Sequence, residues 1–208
     1  MLKPRIFFFI SILAFSLFSC KNEIKDTENV EVENGVVDTV KKAPVKRAAK
    51  KDLTQEDRTL LKSVMSRIMK EPNLKMFASY IVSADLTNKL SNEEGPFTVF
   101  APSNSVLESL TSEKKRFYSN PENKAELVEM LKSHIVEGKL DKGSLLQAID
   151  KSGRTNLKTL AGITLTATKS GDDIFLTDGK NMNLKVVKGS IESSNGVVYI
   201  VDNLLNAN

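Results

Sequence analysis

The sequence predicts an α+β domain, and a change in hydrophobic period along the chain carries that prediction. Between residues 54 and 135 apolar side chains recur every three to four positions, which is typical of helices packed on one face. From residue 157 onward short β-branched runs alternate with turn dipeptides. One strand, "FTVFA" at residues 97–101, lies among the helices and is expected to join the later sheet. Helices followed by a β meander indicate an α+β domain.

The helices are predicted from their apolar period and from their start and stop signals. "TQED" at residues 54–57 combines a capping residue with an acid three positions later, which is a helix start. Glu71-Pro72 is a helix stop, so one helix is expected between these signals. Further helices are predicted over residues 74–90, 121–137 and 143–149.

The stretch "APSNSVLESL" joins the first strand to a helix. Pro102 cannot donate to a sheet ladder and ends the strand. Ser103 and Ser105 are placed where a helix N-terminus needs a side-chain oxygen, and Ser105 has capping-box spacing to Glu108. A nucleophilic serine is the alternative, but no G-x-S-x-G context surrounds either residue. We therefore expect both serines to cap.

The last third of the sequence is predicted to be a meander of short strands. Glycine-containing dipeptides such as Ala161-Gly162 and Asn195-Gly196 mark its turns. "SGDD" and "TDGKN" could hold a cation but are predicted to be hairpin turns as well. The expected strands are residues 157–160, 163–168, 173–177, 183–189 and 196–202.

The residue types that catalysis requires are scarce. His134 is the only histidine and Cys20 the only cysteine, so neither a metal cluster nor a nucleophile with a partner base is available. His134 falls on the apolar side of its helix, which indicates a buried, hydrogen-bonded core residue. No phosphate-binding glycine loop is present. We expect no enzyme, no metal and no cofactor.

The first nineteen residues are predicted to be a signal peptide. Lys3 and Arg5 precede an apolar run at residues 6–18 that is too short to span a bilayer. "LFSC" then resembles the lipobox of a bacterial lipoprotein, in which Cys20 would become the lipidated first residue. An ordinary secretory signal with a coincidental cysteine is the alternative.

Residues 20–53 are predicted to be the lipidated cysteine and a disordered tether. The segment has no aromatic residue, and its charges come in an acidic block followed by the basic block "KKAPVKRAAKK". Such a chain spans roughly 30 Å as a coil and about 110 Å when extended. Without residues 1–19 the formal net charge falls from +4 to +2, which does not call for nucleic acid as a partner.

Four blocks of the sequence resemble the fasciclin domain. "GPFTVFAPSNSVLESL" is similar to the family's first signature block, and "SSNGVVYIVDNLL" is similar to its second. Between them, "LKSHIVEGKL" resembles the histidine-containing segment and "LKTLAGITLTAT" resembles the middle strands. The structural motif positions that this resemblance marks are Phe100, Pro102, Ser103, Asn104, His134, Asn195, Gly196, Tyr199 and Asp202.

The resemblance implies a fasciclin-like β-sandwich or wedge with helices packed along one side, as a single domain over residues 54–208. Two positions depart from the family pattern: Ser133 replaces a frequent tyrosine, and Tyr199 replaces a frequent histidine. Because those family residues serve mainly in packing and internal hydrogen bonding, an altered detail of the core is expected. Tyr199 is expected in the core or at its rim, with an exposed contact residue as the alternative.

Members of the family are extracellular or envelope modules for adhesion and for binding proteins or glycans, usually without catalysis. The resemblance therefore implies a non-catalytic, lipid-anchored envelope protein that binds a protein or a glycan. The alternative is an accessory structural subunit of an outer-membrane protein complex. Lys21 directly after Cys20, where aspartate would retain the protein, favours sorting to the outer membrane of a bacterium. The face of the membrane that the domain occupies is left open.

Overall fold

The computed structural model of the chain describes residues 52–92, 95–180 and 182–205. The predicted signal peptide, Cys20 and all of the predicted tether except its last two residues lie outside the described residues.

Helices dominate the first half of the described chain and strands dominate the second. The helices of the described ranges are Gln55–Leu60 (α1), Val64–Lys70 (α2), Lys75–Ser83 (α3), Thr87–Asn92 (α4), Asn104–Glu108 (α5), Ser112–Ser119 (α6), Lys124–Ser133 (α7) and Lys142–Asp150 (α8). The strands are Phe97–Pro102 (β1), Ile135–Glu137 (β2), Arg154–Lys158 (β3), Thr164–Ser170 (β4), Asp173–Thr177 (β5), Asn183–Ser193 (β6) and Gly196–Val201 (β7). Single 3₁₀ turns at Pro72–Leu74 and Pro121–Asn123 precede α3 and α7.

These strands form one sheet in the order β2-β1-β7-β6-β5-β4-β3. The meander from β3 to β7 is antiparallel throughout, whereas β1 lies parallel to β7 with Phe97 opposite Gly196. The sheet curls so far that its two edge strands meet. The Leu160 N–H after β3 donates to the Ile135 carbonyl of β2 at 2.8 Å. The prediction of an α+β domain with the early strand in the later sheet is confirmed.

Apolar side chains are buried in two clusters, one on each face of the paired strands β1 and β7. Val99 of β1 and Val198 of β7 face the first cluster, to which helices α2 to α7 contribute. Phe100 and Tyr199, one position further on, face the second cluster inside the curled sheet, where Leu145 of α8 joins them. The alternation follows from the two-residue period of a strand, and both faces of β1 and β7 are therefore buried.

The prediction of a single helix between residues 54 and 71 is wrong, because two helices occur there. Ser63 is the N-cap of α2, and its hydroxyl accepts the Ser66 N–H at 3.2 Å. The side chain of Asn195, from the turn between β6 and β7, accepts the Val64 N–H at 2.8 Å. A local cap and a distant one together start a second helix, whose face buries Met65 and Ile68.

The first strand of the meander also differs from its expected position. Residues 157–160 were expected, but β3 is Arg154–Lys158. Thr159 is already in the turn, where its N–H donates to the Ile163 carbonyl at 2.9 Å and its hydroxyl accepts the Ile163 N–H at 3.1 Å. These two bonds close the hairpin one residue after β3.

The contact of β1 with β7 requires glycine at position 196. A Cβ there would lie 2.0 Å from the Phe97 carbonyl oxygen and 2.8 Å from Val64 Cγ2. We expect Gly196→Ala to lower the free energy of unfolding by roughly 3 kcal/mol, since neither backbone can move without parting the central strands. The measurement is urea unfolding of the purified protein. Gly143→Ala in α8 is the matched control, where a Cβ would meet only Asp141 Oδ1 at 3.3 Å, and it should be neutral or slightly stabilising.

Candidate functional site

The motif residues divide into a buried group and a surface group. The buried residues carry the internal connections of the domain, and the surface residues meet at one corner. The buried group is Phe100, Pro102, His134, Asn195, Gly196 and Tyr199, and the surface group is Ser103, Asn104 and Asp202.

His134 is the C-cap of α7, and its side chain is fully buried. Nδ1 donates to the Phe100 carbonyl at 2.7 Å, and Nε2 accepts the Leu205 N–H at 3.0 Å. The backbone donor at Leu205 fixes the neutral tautomer with its proton on Nδ1. Burial, only partly opposed by the hydrogen bond to Phe100, lowers the pKa of the imidazole from 6.5 to about 4. Both ring nitrogens are occupied inside the protein, so the ring has no free nitrogen to act on a substrate.

Asn195 links the turn between β6 and β7 to three other elements. Its Oδ1 accepts the Val64 N–H of α2, and its Nδ2 donates to the Leu90 carbonyl of α4 at 3.3 Å. Its own carbonyl accepts the Phe97 N–H at the start of β1 at 2.9 Å. A buried amide satisfied on both sides in this way holds the elements around it in register.

Tyr199 is fully buried and stacks on Phe100, with ring centroids 5.3 Å apart. Its hydroxyl donates to the Leu140 carbonyl at 2.7 Å, and burial raises the pKa of the phenol. A Cβ on Gly189 would come within 2.4 Å of the ring, so the strand beside it must carry glycine at that point. The ring therefore lies in the core, and the alternative of an exposed contact residue is wrong.

At the corner between β1 and α5 the predicted caps are arranged differently from the expectation. Ser103 is at the N-cap position, but its hydroxyl makes no bond to the backbone of α5. It pairs instead with the Ser105 hydroxyl at 2.8 Å, and Ser105 lies inside the helix. The expectation that these side chains cap α5 is therefore wrong. Asn104 reaches across to the start of α3: its Oδ1 accepts the Met76 N–H of α3, and its Nδ2 donates to the Pro72 carbonyl of the preceding 3₁₀ turn, both at 3.0 Å.

A cleft of about 660 Å³ opens at this corner. Asp202 borders it and accepts the Lys185 N–H with Oδ1 at 2.7 Å. Lys188 borders it as well and forms an ion pair with Glu71 at 2.8 Å. We call it the corner cleft; its lining includes Asn73, Ser103, Asn104, Glu108, Lys188 and Asp202. These side chains can donate and accept hydrogen bonds, and the described lining includes no histidine.

A second cleft, of about 600 Å³, lies between the two edge strands of the sheet. We call it the edge cleft; its lining includes Glu137, Leu140, Asn156, Leu157, Lys158 and Leu160. The sequence did not point to this cleft, because the cleft lies outside the two signature blocks and depends on how far the sheet curls. The one available signal is "RTNLK", in which charged and polar residues alternate as on the outer face of an edge strand.

The described residues were also compared with the requirements of a metal site and of a membrane-spanning helix. Among the residues that the structure describes, no group of three histidine, cysteine or acidic side chains is placed to hold a metal ion. None of the described helices has the length and apolar character to cross a membrane.

The fold and the internal role of its polar residues define a small α+β domain built on one curled sheet. The family model for the fasciclin domain matches residues 72–207, and the chain belongs to the fasciclin-domain family. A solved FAS1 domain pair from the insect cell adhesion molecule fasciclin I has the same fold. It matches with a TM-score of 0.61 at 14% identity, over 69% of this chain and 50% of that chain.

Relatives with similar sequences come from distant organisms. Protein sll1483 from Synechocystis sp. is 35% identical over 127 residues, which is 60% of this chain and 62% of that protein. Human periostin is 28% identical over 69% of this chain but 16% of its own length. Transforming growth factor-beta-induced protein ig-h3 from Sus scrofa is 30% identical over 69% of this chain and 19% of its own length. This chain therefore spans less than two thirds of each of these relatives.

The buried imidazole makes stability depend on pH. The unfolded chain binds the proton near pH 6.5 and the folded chain only near pH 4, so the unfolded state binds more protons between these values. The stabilisation is complete above pH 6.5 and is lost as the pH falls to 4, by about 3 kcal/mol. We expect the free energy of unfolding of His134→Gln, measured by urea titration at each pH, to lack this decline. Parallel curves for the variant and the original protein would contradict the assignment.

Proposed function

We propose that this chain is a non-catalytic, lipid-anchored protein of the bacterial cell envelope, whose fasciclin domain binds a protein or a glycan in adhesion. Membership of the fasciclin-domain family carries this proposal. The solved domain pair with the same fold belongs to a cell adhesion molecule, which supports a role in adhesion. The buried motif side chains contact other parts of the domain, so a partner must bind to the surface of the domain.

The arrangement of the polar residues supports a function without catalysis. His134 is buried, neutral and bonded at both nitrogens, so it cannot take a proton from a surface hydroxyl. Ser103 and Ser105 bond each other at the corner cleft. A nucleophilic serine needs an adjacent base within hydrogen-bond reach, and the described lining of that cleft has no histidine.

The proposed anchor is a lipid on Cys20, exposed when residues 1–19 are removed. A tether over residues 20–53 would then let the domain stand away from the membrane, by roughly 30 Å as a flexible coil. Lys21 after the cysteine supports the outer membrane as the destination. A protein on such a tether can reach partners on the same membrane or beyond it.

The anchor has a direct test. We expect the native chain to incorporate labelled palmitate and to fractionate with the outer membrane, because an acylated cysteine buries its hydrocarbon in lipid. Cys20→Ala should lose the label and leave the membrane fraction. Ser16→Ala is the control, since it changes a polar residue of the signal without touching the acylated atom. Label retained by Cys20→Ala, or an unlabelled native chain, would contradict the anchor.

A second candidate function is that of an accessory subunit of an outer-membrane protein complex. The start of the domain favours it, because α1 buries no residue and the leucines at its two ends, Leu53, Leu60 and Leu61, are exposed. Leu61 is 46% exposed, and Met69 on the next helix is 59% exposed. Exposed apolar side chains that form a contiguous patch mark contact with another protein.

Extraction in a mild detergent separates the two candidates. If the chain is a subunit, a partner should co-purify in fixed ratio, and Leu61→Asn with Met69→Gln should release it by removing apolar contact area. Val82→Asn is the matched control, because Val82 is also exposed, at 52%, but lies on α3. An isolated chain that binds foreign cells or glycans would reject the subunit function and support adhesion.

A further inference from the structure

The edge strand β3 presents backbone groups that its own sheet does not use. The Thr159 N–H bonds to the Ile163 carbonyl, so this pair is a hydrogen-bonded pair of the hairpin. Antiparallel pairs alternate between bonded and non-bonded. The register with β4 therefore directs the backbone N–H and C=O of Leu157 toward β4. It directs the backbone N–H and C=O of Asn156 and Lys158 away from β4. The Arg154 carbonyl, two residues earlier, also points away, since it accepts the Ser152 hydroxyl at 2.7 Å.

The opposite edge strand, β2, covers only one end of β3. It has three residues, and it pairs with the end of β3 through the antiparallel bridge between Val136 and Thr159. In this bridge the Ile135 carbonyl accepts the Leu160 N–H, and Glu137 lies opposite Lys158. After Glu137 the chain turns back toward β1, because the Gly138 N–H donates to the Pro96 carbonyl at 2.7 Å. The part of β3 around Asn156 is thus left beside the open edge cleft.

The side chains around this opening define the chemistry of what fits. Arg154, Asn156 and Lys158 alternate along the exposed face of β3. Within the described ranges, no acidic side chain forms an ion pair with either cation. The other wall of the cleft includes the half-buried side chains of Leu140 and Leu160. A strand added here would meet two cations on one side and, on the other, two leucines and the exposed carboxylate of Glu137.

We propose that the edge cleft accepts an extended peptide segment of a protein partner, which pairs with β3 as an added strand and alternates acidic with apolar residues. Backbone bonds to Asn156 supply affinity, and the acidic side chains beside Arg154 and Lys158 supply specificity, as in other cases of strand addition. The inference rests on the proposed function, because it names the class of partner that the domain binds.

The test uses the full chain in mild detergent and a fluorescent peptide of eight alternating glutamate and valine residues. We expect saturable binding by fluorescence anisotropy. The double variant Arg154→Glu and Lys158→Glu should weaken binding at least tenfold and should bind the matching lysine–valine peptide instead. Lys75→Glu with Lys180→Glu is the control, because it makes the same change in net charge at exposed positions away from the cleft.

A second peptide separates strand addition from simple attraction of charges. Methylation of the backbone nitrogens that would face β3 keeps the peptide's charge but removes its donors, so binding should be lost. Equal binding of the methylated peptide, or equal weakening by the control variant, would overturn the proposal. If no peptide binds while the protein still binds cells or glycans, β3 carries its cations only to protect a sheet edge, and the proposed function stands. If the protein binds neither, both fail.

Discussion

A single neutral imidazole, fully withdrawn from water, connects three parts of the described chain. His134 contacts β1 twice, through its ring to the Phe100 carbonyl and through its own carbonyl to the Phe100 N–H at 2.9 Å. Its other nitrogen holds the amide of Leu205 near the end of the described chain. The last turn of α7, the centre of the sheet and the closing segment are therefore positioned by one ring. A proton on Nε2 would turn an acceptor toward Leu205 into a donor, and this bond would be lost.

Two asparagines also connect distant elements through their side chains. Asn195 and Asn104 each use a side-chain amide to satisfy the N-terminal backbone groups of a helix that is distant in sequence, α2 in one case and α3 in the other. A cap supplied from another element fixes the position of the helix as well as its start. The helical layer is thus attached to the sheet by directional bonds at the turn before β7 and at the corner after β1, in addition to its apolar contacts.

The sequence allowed the class of fold, the strands of the meander and the burial of His134 to be predicted, because each follows from local period and residue type. It did not reveal β2, since Ile135–Glu137 was expected to continue the helix before it. It did not reveal that α1 and α2 are separate, since the bond from Asn195 to Val64 joins residues far apart in the chain. The predicted serine caps were also wrong, because the hydroxyls of Ser103 and Ser105 bond each other and not the backbone of α5. The edge cleft depends on how closely Leu160 approaches Ile135, and curvature of a sheet has no signature in a run of residues.

The parallel pairing of β1 with β7 also has a kinetic consequence. Phe97 and Gly196 are opposite each other in β1 and β7 although they are separated by nearly half the chain. Non-local pairing of this kind slows folding, because a long loop must close before the contact forms. The meander of β3 to β6 can assemble earlier from neighbouring hairpins, but it gains its place in the core only when the final strand arrives. A chain that folds in this order keeps its core open until the last strand has been synthesised, so the apolar faces of the earlier strands stay exposed to water until then.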